Sequence, residues 1–177
     1  MFNPPRFLSG IVTMALAMAL LPGTAFAAPG SSTTNGAAQA AVIQPLRISA
    51  VSPLAFGQIT RPTAAGTVVL DPAGAISTTG GVLTSTAIAQ SGVRGPGTFT
   101  VTGDPGRLFT LSLPTIAALR SGSRLMLVGT FRSNWATGDA LGVSGSYTVS
   151  VGATLRVGAN QTIGTYTGSY AVTVAYQ

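Results

Sequence analysis

The sequence predicts an all-β fold, an antiparallel sandwich. Three observations predict it. Short runs alternate apolar and polar residues along most of the chain. Gly and Pro, 23 and 11 of the 177 residues, punctuate those runs. Helical periodicity is almost absent, and residues 115–120 are the one stretch expected to make a turn of helix. A closed barrel is the competing arrangement. A membrane barrel fits poorly: its strands of ~10 residues recur evenly between aromatic girdles, and only 7% of this chain is aromatic.

Taken in order, residues 1–27 read as a secretory signal peptide. Arg6 precedes an apolar run over 11–21, Pro22 and Gly23 break it, and Ala25-Phe26-Ala27 fits the small-x-small cleavage rule. The run is short for a membrane span, which needs ~20 apolar residues, so no stable span is expected. Residues 28–41 (APGSSTTNGAAQAA) are a low-complexity leader of small residues, flexible or serving as a donor strand. The domain proper is expected over 42–177. Strands are expected over 42–51, 54–59 and 66–70, the last ended by the turn Asp71-Pro72-Ala73-Gly74. Weaker strands follow over 75–78 and 82–89. Residues 98–102 alternate cleanly and stop at Gly103-Asp104-Pro105-Gly106, a strong turn signal. Further strands are expected over 108–113, 125–132, 146–151 and 153–157, the last two joined at Gly152, with a loop over 158–161.

The last fourteen residues, GTYTGSYAVTVAYQ, carry the clearest strand pattern. Tyr166, Tyr170, Val172, Val174 and Tyr176 share one parity, while Thr165, Thr167, Ser169, Ala171, Thr173 and Ala175 share the other. Val172 and Val174 are expected to point inward, against Phe99, Val101, Phe109 and Leu111.

Composition excludes most catalysis. The chain has no His, Cys, Lys or Glu, which removes Ser-His and Cys-His nucleophile pairs, disulfides and zinc sites of the usual kind. Asp71, Asp104 and Asp139 are the only carboxylates, each in a turn or loop context where Asp caps its own backbone. No enzyme, metal or cofactor is therefore expected. The formal net charge is +6, and the Arg residues are scattered without aromatic interleaving, so nucleic acid is not an expected partner. Trp135, the single Trp, reads as a plug at one end of the sandwich or as a ligand contact.

The C-terminus resembles that of subunits from bacterial chaperone–usher fimbriae, in which a Gly stands fourteen residues from the end and an aromatic stands next to last. Gly164 and Tyr176 occupy those positions here. Leu54-Ala55-Phe56-Gly57, Gly103, the stretch from Gly152 to Val157, and the Gly164-x-Tyr166-x-Gly168-x-Tyr170 motif also resemble a proteobacterial family of secreted, fimbrillin-like domains, domain of unknown function 4402, similar to the spore-coat U and Mat/Ecp fimbrillin groups. The likeness covers about residues 42–177. It implies an immunoglobulin-like, pilin-like sandwich with one strand missing. It also implies a periplasmic chaperone, an outer-membrane usher and like subunits as partners, with Gly164, Tyr166, Tyr170, Val172, Val174 and Tyr176 as the chaperone and assembly strand. In that reading the chain passes through the periplasm to the cell surface as a structural subunit of a fibre or coat. The alternative is a monomeric secreted sandwich that binds a glycan or surface polymer through loops near Trp135. Two departures stand out: the chain lacks the Cys of classical pilins, which the fimbrillin-like family often tolerates, and its leader of small residues would fill an apolar groove poorly, which stands against polymerisation.

Overall fold

The computed structural model describes residues 30–82 and 93–177. The expected signal peptide, and the expected strand over 82–89 beyond Val82, lie outside the described residues. Contacts divide the chain into two units. In the unit ending at Ala40, residues 30–40 are exposed and irregular; the other, residues 41–177, holds all the regular structure among the described residues. Among the described residues there is no helix, and none long and apolar enough to cross a membrane.

The strands are β1 (Arg47–Ser52), β2 (Ala55–Phe56), β3 (Gly66–Leu70), β4 (Ile76–Gly80), β5 (Arg94–Gly95), β6 (Gly97–Thr102), β7 (Phe109–Ser112), β8 (Ile116–Ser121), β9 (Arg124–Ser133), β10 (Ser146–Val157) and β11 (Thr173–Tyr176), and every pairing is antiparallel. β10 organises the large sheet. Along one edge its first half pairs with β6 and its second half with β3; along the other it pairs with β9. β1 extends the sheet beyond β6, β4 beyond β3, and β8 beyond β9. The edge partner changes at Gly152, where a Cβ would run into the Leu70 carbonyl oxygen. Opposite, β9 absorbs a register shift between Gly152 and Thr154, with Thr130 at φ 51°. A β-branched residue adopts that conformation only under constraint, and a bulge supplies it. Past the bulge, Asn134 stands in for a strand: its Nδ2 donates to the Thr148 carbonyl (3.1 Å), and its Oδ1 accepts from the Ser150 N–H (2.8 Å).

Facing this sheet is a two-stranded sheet, β7 with β11. Side chains alternate across each strand, so one face of the large sheet is apolar. Val101, Phe109, Leu141, Val149 and Val151 form one buried cluster between the sheets. Phe56, Val68, Leu70, Val82, Val128, Ala153, Leu155 and Val157 form another, under β3, β8 and β9. Phe131 packs against both clusters and joins them. The order β1-β6-β10-β9 against β7-β11, in chain sequence, is that of the first six strands of an immunoglobulin-type sandwich. The seventh position, beside β11, holds no strand among the described residues.

Three local expectations are corrected. Residues 115–120 are not helical: 116–121 form β8, a hairpin with β9 through Gly122 at φ 56°. Ala117 and Leu119 face the core while Arg120 is exposed, so pairing overrode the helix preference of an Ala-Ala-Leu run. Residues 146–157 are one strand rather than two, because Gly152 keeps its place in the ladder with β9. The terminal strand covers 173–176 alone. Upstream, Thr167 exchanges hydrogen bonds with Arg120 in both directions (2.8 and 3.0 Å), drawing 163–168 to the free edge of β8. The predicted parity nonetheless holds. Tyr166, Tyr170, Val172, Val174 and Tyr176 are half-buried, and their neighbours of opposite parity are exposed. Val174 packs on the Phe109 cluster; Val172 is half-buried outside it.

Tyr147 and Asp139 tie the loop after β9 to the sheet. Tyr147 Oη donates to Asp139 Oδ2 at 2.7 Å, and the same oxygen accepts from the Ala136 N–H at 2.9 Å. Burial first, then the hydrogen bond and charge of Asp139, push the Tyr147 phenol up to about 12. The Ala136 N–H first, then Tyr147, hold Asp139 below the usual carboxylate value. A phenol raised in the folded state contributes stability that is complete below its unfolded value near 10 and is lost as pH rises toward 12. The Asp139 contribution has the opposite sense, being lost as pH falls below 3.8. Tyr147→Phe is expected to remove one late-titrating phenol from the tyrosinate absorbance curve and to flatten the loss of thermal midpoint between pH 10 and about 12. Parallel curves for both proteins would show that the pair does not form.

Candidate functional site

The edges of β1 and β11 meet at one end of the sandwich. Tyr176 Oη donates to the Gln44 carbonyl at 2.9 Å and accepts from the Asp104 N–H at 2.6 Å. Its ring lies under the Arg107 guanidinium, 5.6 Å from the centroid, and Arg107 pairs with Asp104 at 3.2 Å. A Cβ at Gly103 would collide with this hydroxyl, which accounts for the glycine that ends β6. The penultimate tyrosine thus locks the end of the chain to the start of the domain and to the turn after β6.

Toward the other end lies a cleft of about 660 Å³. One wall is residues 53–59, the chain leaving β1; the other is residues 161–168, the chain approaching β11. The floor is Leu119, Met126, Leu155 and Val157, all part of the core packing around Phe56. A smaller adjoining chamber of about 40 Å³ runs under Gly168 to Tyr170. The walls carry main chain with little ladder pairing. Residues 55–56 pair with β5, and Thr167 pairs with Arg120. The sequence explains this irregularity. Pro53 and Gly57 bracket β2, and Gly164 and Gly168 pass so close to β8 that a Cβ would meet Ser121 Oγ and the Ala118 carbonyl respectively.

The predicted assembly residues divide between these places. Gly164 and Tyr166 stand in the cleft wall. Tyr166 Oη donates to the Thr162 carbonyl and accepts from Gln161 Nε2, both at 2.8 Å, and Gln161 also reaches the Leu125 carbonyl at 3.3 Å. Tyr170 lies at the inner end, its ring 5.2 Å from Phe131 and 6.0 Å from Phe99. Its hydroxyl is buried against Gly97 without a partner, and that burial pushes its pKa up. Val174 and Tyr176 lie on β11. Trp135 sits at the far end, half-buried, with its ring 6.0 Å from Phe109 and its Nε1 buried and unpartnered.

Reading the sequence singled out the C-terminal wall, and the Leu54-Ala55-Phe56-Gly57 motif marks the other. It missed the floor, because Leu119 and Met126 look like ordinary alternating strand residues; their role depends on which strands the cleft leaves uncovered. Among the described residues, the lining contains Arg61 and Tyr166 as its only ionisable side chains and has no carboxylate. No group of three or more metal-ligating side chains occurs among the described residues. Chemically, the cleft offers an apolar floor edged by main-chain groups and by the side chains of Arg61, Gln161 and Tyr166.

No curated protein and no solved structure matches the chain. The family described as Domain of unknown function (DUF4402) matches residues 46–176, from just before β1 through the last residue of β11. The match spans both sheets and both cleft walls, and the chain belongs to that family.

Proposed function

We propose that the chain is an exported structural subunit of a surface fibre or coat, assembled by strand addition. Two observations carry this reading: among the described residues no strand stands in the seventh position beside β11, and a cleft with an apolar floor opens between residues 53–59 and 161–168, the chain leading to β11. Backbone groups along such an edge are satisfied when another chain supplies a strand, and alternate side chains of that strand fill the trough. The likeness of the C-terminus to fimbrial subunits supports the same reading, and it implies a periplasmic chaperone as the first occupant and the leader of a like subunit as the next. A leader rich in Ala, Gly, Ser and Thr fills the trough less fully than bulky residues would, so the joint would rest more on main-chain hydrogen bonds than on apolar burial.

The test compares material released from the surface of producing cells for the unaltered chain, for Met126→Arg, and for deletion of residues 28–41. Met126 is half-buried on the cleft floor, so Arg there obstructs the trough. The unaltered chain is expected in high-mass assemblies. Met126→Arg should give folded but unassembled protein, as judged by circular dichroism and light scattering. The leader deletion should bind its chaperone yet fail to join subunits. Recovery of the unaltered chain as a stable, soluble monomer without any partner would sink the proposal.

A further inference from the structure

The fold sorts the charges in a way the sequence conceals. The large sheet packs one face on the core, so its other face is set by strand parity. On that outer face stand Arg47 of β1, Arg132 of β9, Arg156 of β10 and Arg120 of β8, all exposed. None forms an ion pair or a side-chain hydrogen bond among the described residues. Two of the three acids are elsewhere: Asp104 is paired with Arg107, and Asp139 is held by Ala136 and Tyr147. Asp71 stands at the rim, where β3 ends, and its carboxylate accepts from the Ala75 N–H at 2.8 Å. The face therefore presents four guanidinium groups against one acid already committed to its turn.

A grid of hydroxyls fills the half of the face between Arg47 and Arg132, while Leu127 and Ala118 follow Arg156 in the row that leads across β9 to β8, the strand of Arg120. Ser49, Thr100 and Thr148 form one row across β1, β6 and β10; Ser52, Thr98 and Ser150 form the next, and Thr102 with Ser146 continues the grid beside Arg47. With strands ~4.8 Å apart and ~3.3 Å per residue, Arg120 and Arg156 are separated by about 12 Å, and Arg156 and Arg132 by about 14 Å, measured between their Cα positions. The rings that would stack on bases are on the inner side: Phe109 is buried, and Phe99, Tyr147 and Trp135 pack against its cluster.

We infer that this face binds an acidic polysaccharide, a uronate-type polymer with carboxylates spaced along hydroxyl-bearing rings. Each guanidinium fork matches a carboxylate through two N–H···O bonds. In the half between Arg47 and Arg132 the serine and threonine grid meets the sugar hydroxyls. A flat, extended polyanion fits a strand face. The absence of exposed rings on it disfavours single-stranded nucleic acid, which needs stacking platforms. The face lies on the opposite side of the sheet from the cleft floor, so this inference holds whether or not the chain assembles.

The experiment is affinity electrophoresis of the purified full chain through gels containing polygalacturonate, with dextran as the neutral polymer. Two triple variants remove the same charge. R120Q/R132Q/R156Q removes three of the four arginines of the face; R61Q/R94Q/R124Q removes arginines away from it. Circular dichroism and the thermal midpoint establish that both remain folded. Polygalacturonate is expected to retard the unaltered chain and dextran is not. The face variant should bind roughly tenfold more weakly or worse, and the other variant should stay within about threefold, with retardation falling as salt rises. Equal losses in the two variants would reduce the effect to net charge and overturn the inference. So would retardation by dextran, or binding to anionic phospholipid vesicles or single-stranded DNA as tight as to polygalacturonate at the same salt.

Discussion

Replacing Phe109 by alanine is expected to cost about 3–5 kcal/mol, the range for emptying a fully buried phenylalanine site. Phe109 has no exposed surface and sits among Val101, Leu141, Val149 and Val151, where the two sheets meet. Its ring also stands 5.4 Å from Tyr147, near edge-on, and 6.0 Å from Trp135. Aromatic contacts of this kind add about 0.5–1.5 kcal/mol beyond the area buried. β7 has only four residues and pairs with β11, and Phe109 is its one fully buried side chain. Domains of this size are stable by about 5–15 kcal/mol, and the loss should lower the thermal midpoint by roughly 10–20 °C. Urea unfolding followed by Trp135 fluorescence reads it directly, because the indole faces the altered site. A change below about 1 kcal/mol would mean that Phe109 does not hold the sheets together.

Gly152→Ala should be nearly as damaging for an unrelated reason. The backbone there is not in the left-handed region, so the added methyl group costs nothing in dihedral angle. It collides instead with the Leu70 carbonyl oxygen, and lies 2.6 Å from the Asp71 carbonyl carbon and 2.8 Å from the Pro72 nitrogen. All three are backbone, with no flexible side chain to give way. β3 would have to leave β10 at the Leu70–Ala153 pair, uncovering Leu70 and Val68, which are buried to within 1%. The expected cost is about 2–4 kcal/mol. Accelerated amide exchange should be confined to β3 and β4. Gly106→Ala is the control: Gly106 has φ 72° with open space around it, so its cost of about 1 kcal/mol comes from conformation alone. Equal effects at the two sites would remove packing as the explanation at Gly152.

The sequence by itself determined the fold class and most of the strands. Alternation placed 66–70 and, to within a residue or two, 98–102, 108–113 and 125–132, because an element's apolar parity is local information. The turns at 71–74 and 103–106 were equally legible, since Pro, Gly and Asp act within four residues. Parity in the last fourteen residues was right even where the strand was not. The missing catalytic and metal-ligating residue types needed only a count.

Tertiary structure decided everything that depends on partners. Whether 115–120 coils or pairs was settled by β9 arriving through Gly122. Whether 164–172 continues β11 was settled by the free edge of β8, which captures Thr167. The cleft floor could not be seen in advance, because Leu119 and Met126 alternate like any strand residues; what sets them apart is the strand that does not cover them. The gathering of Arg47, Arg120, Arg132 and Arg156 on one face is of the same kind. They are far apart along the chain, and strand parity combined with the order of strands in the sheet brings them together. Parity belongs to each segment alone, whereas strand order is a property of the whole molecule.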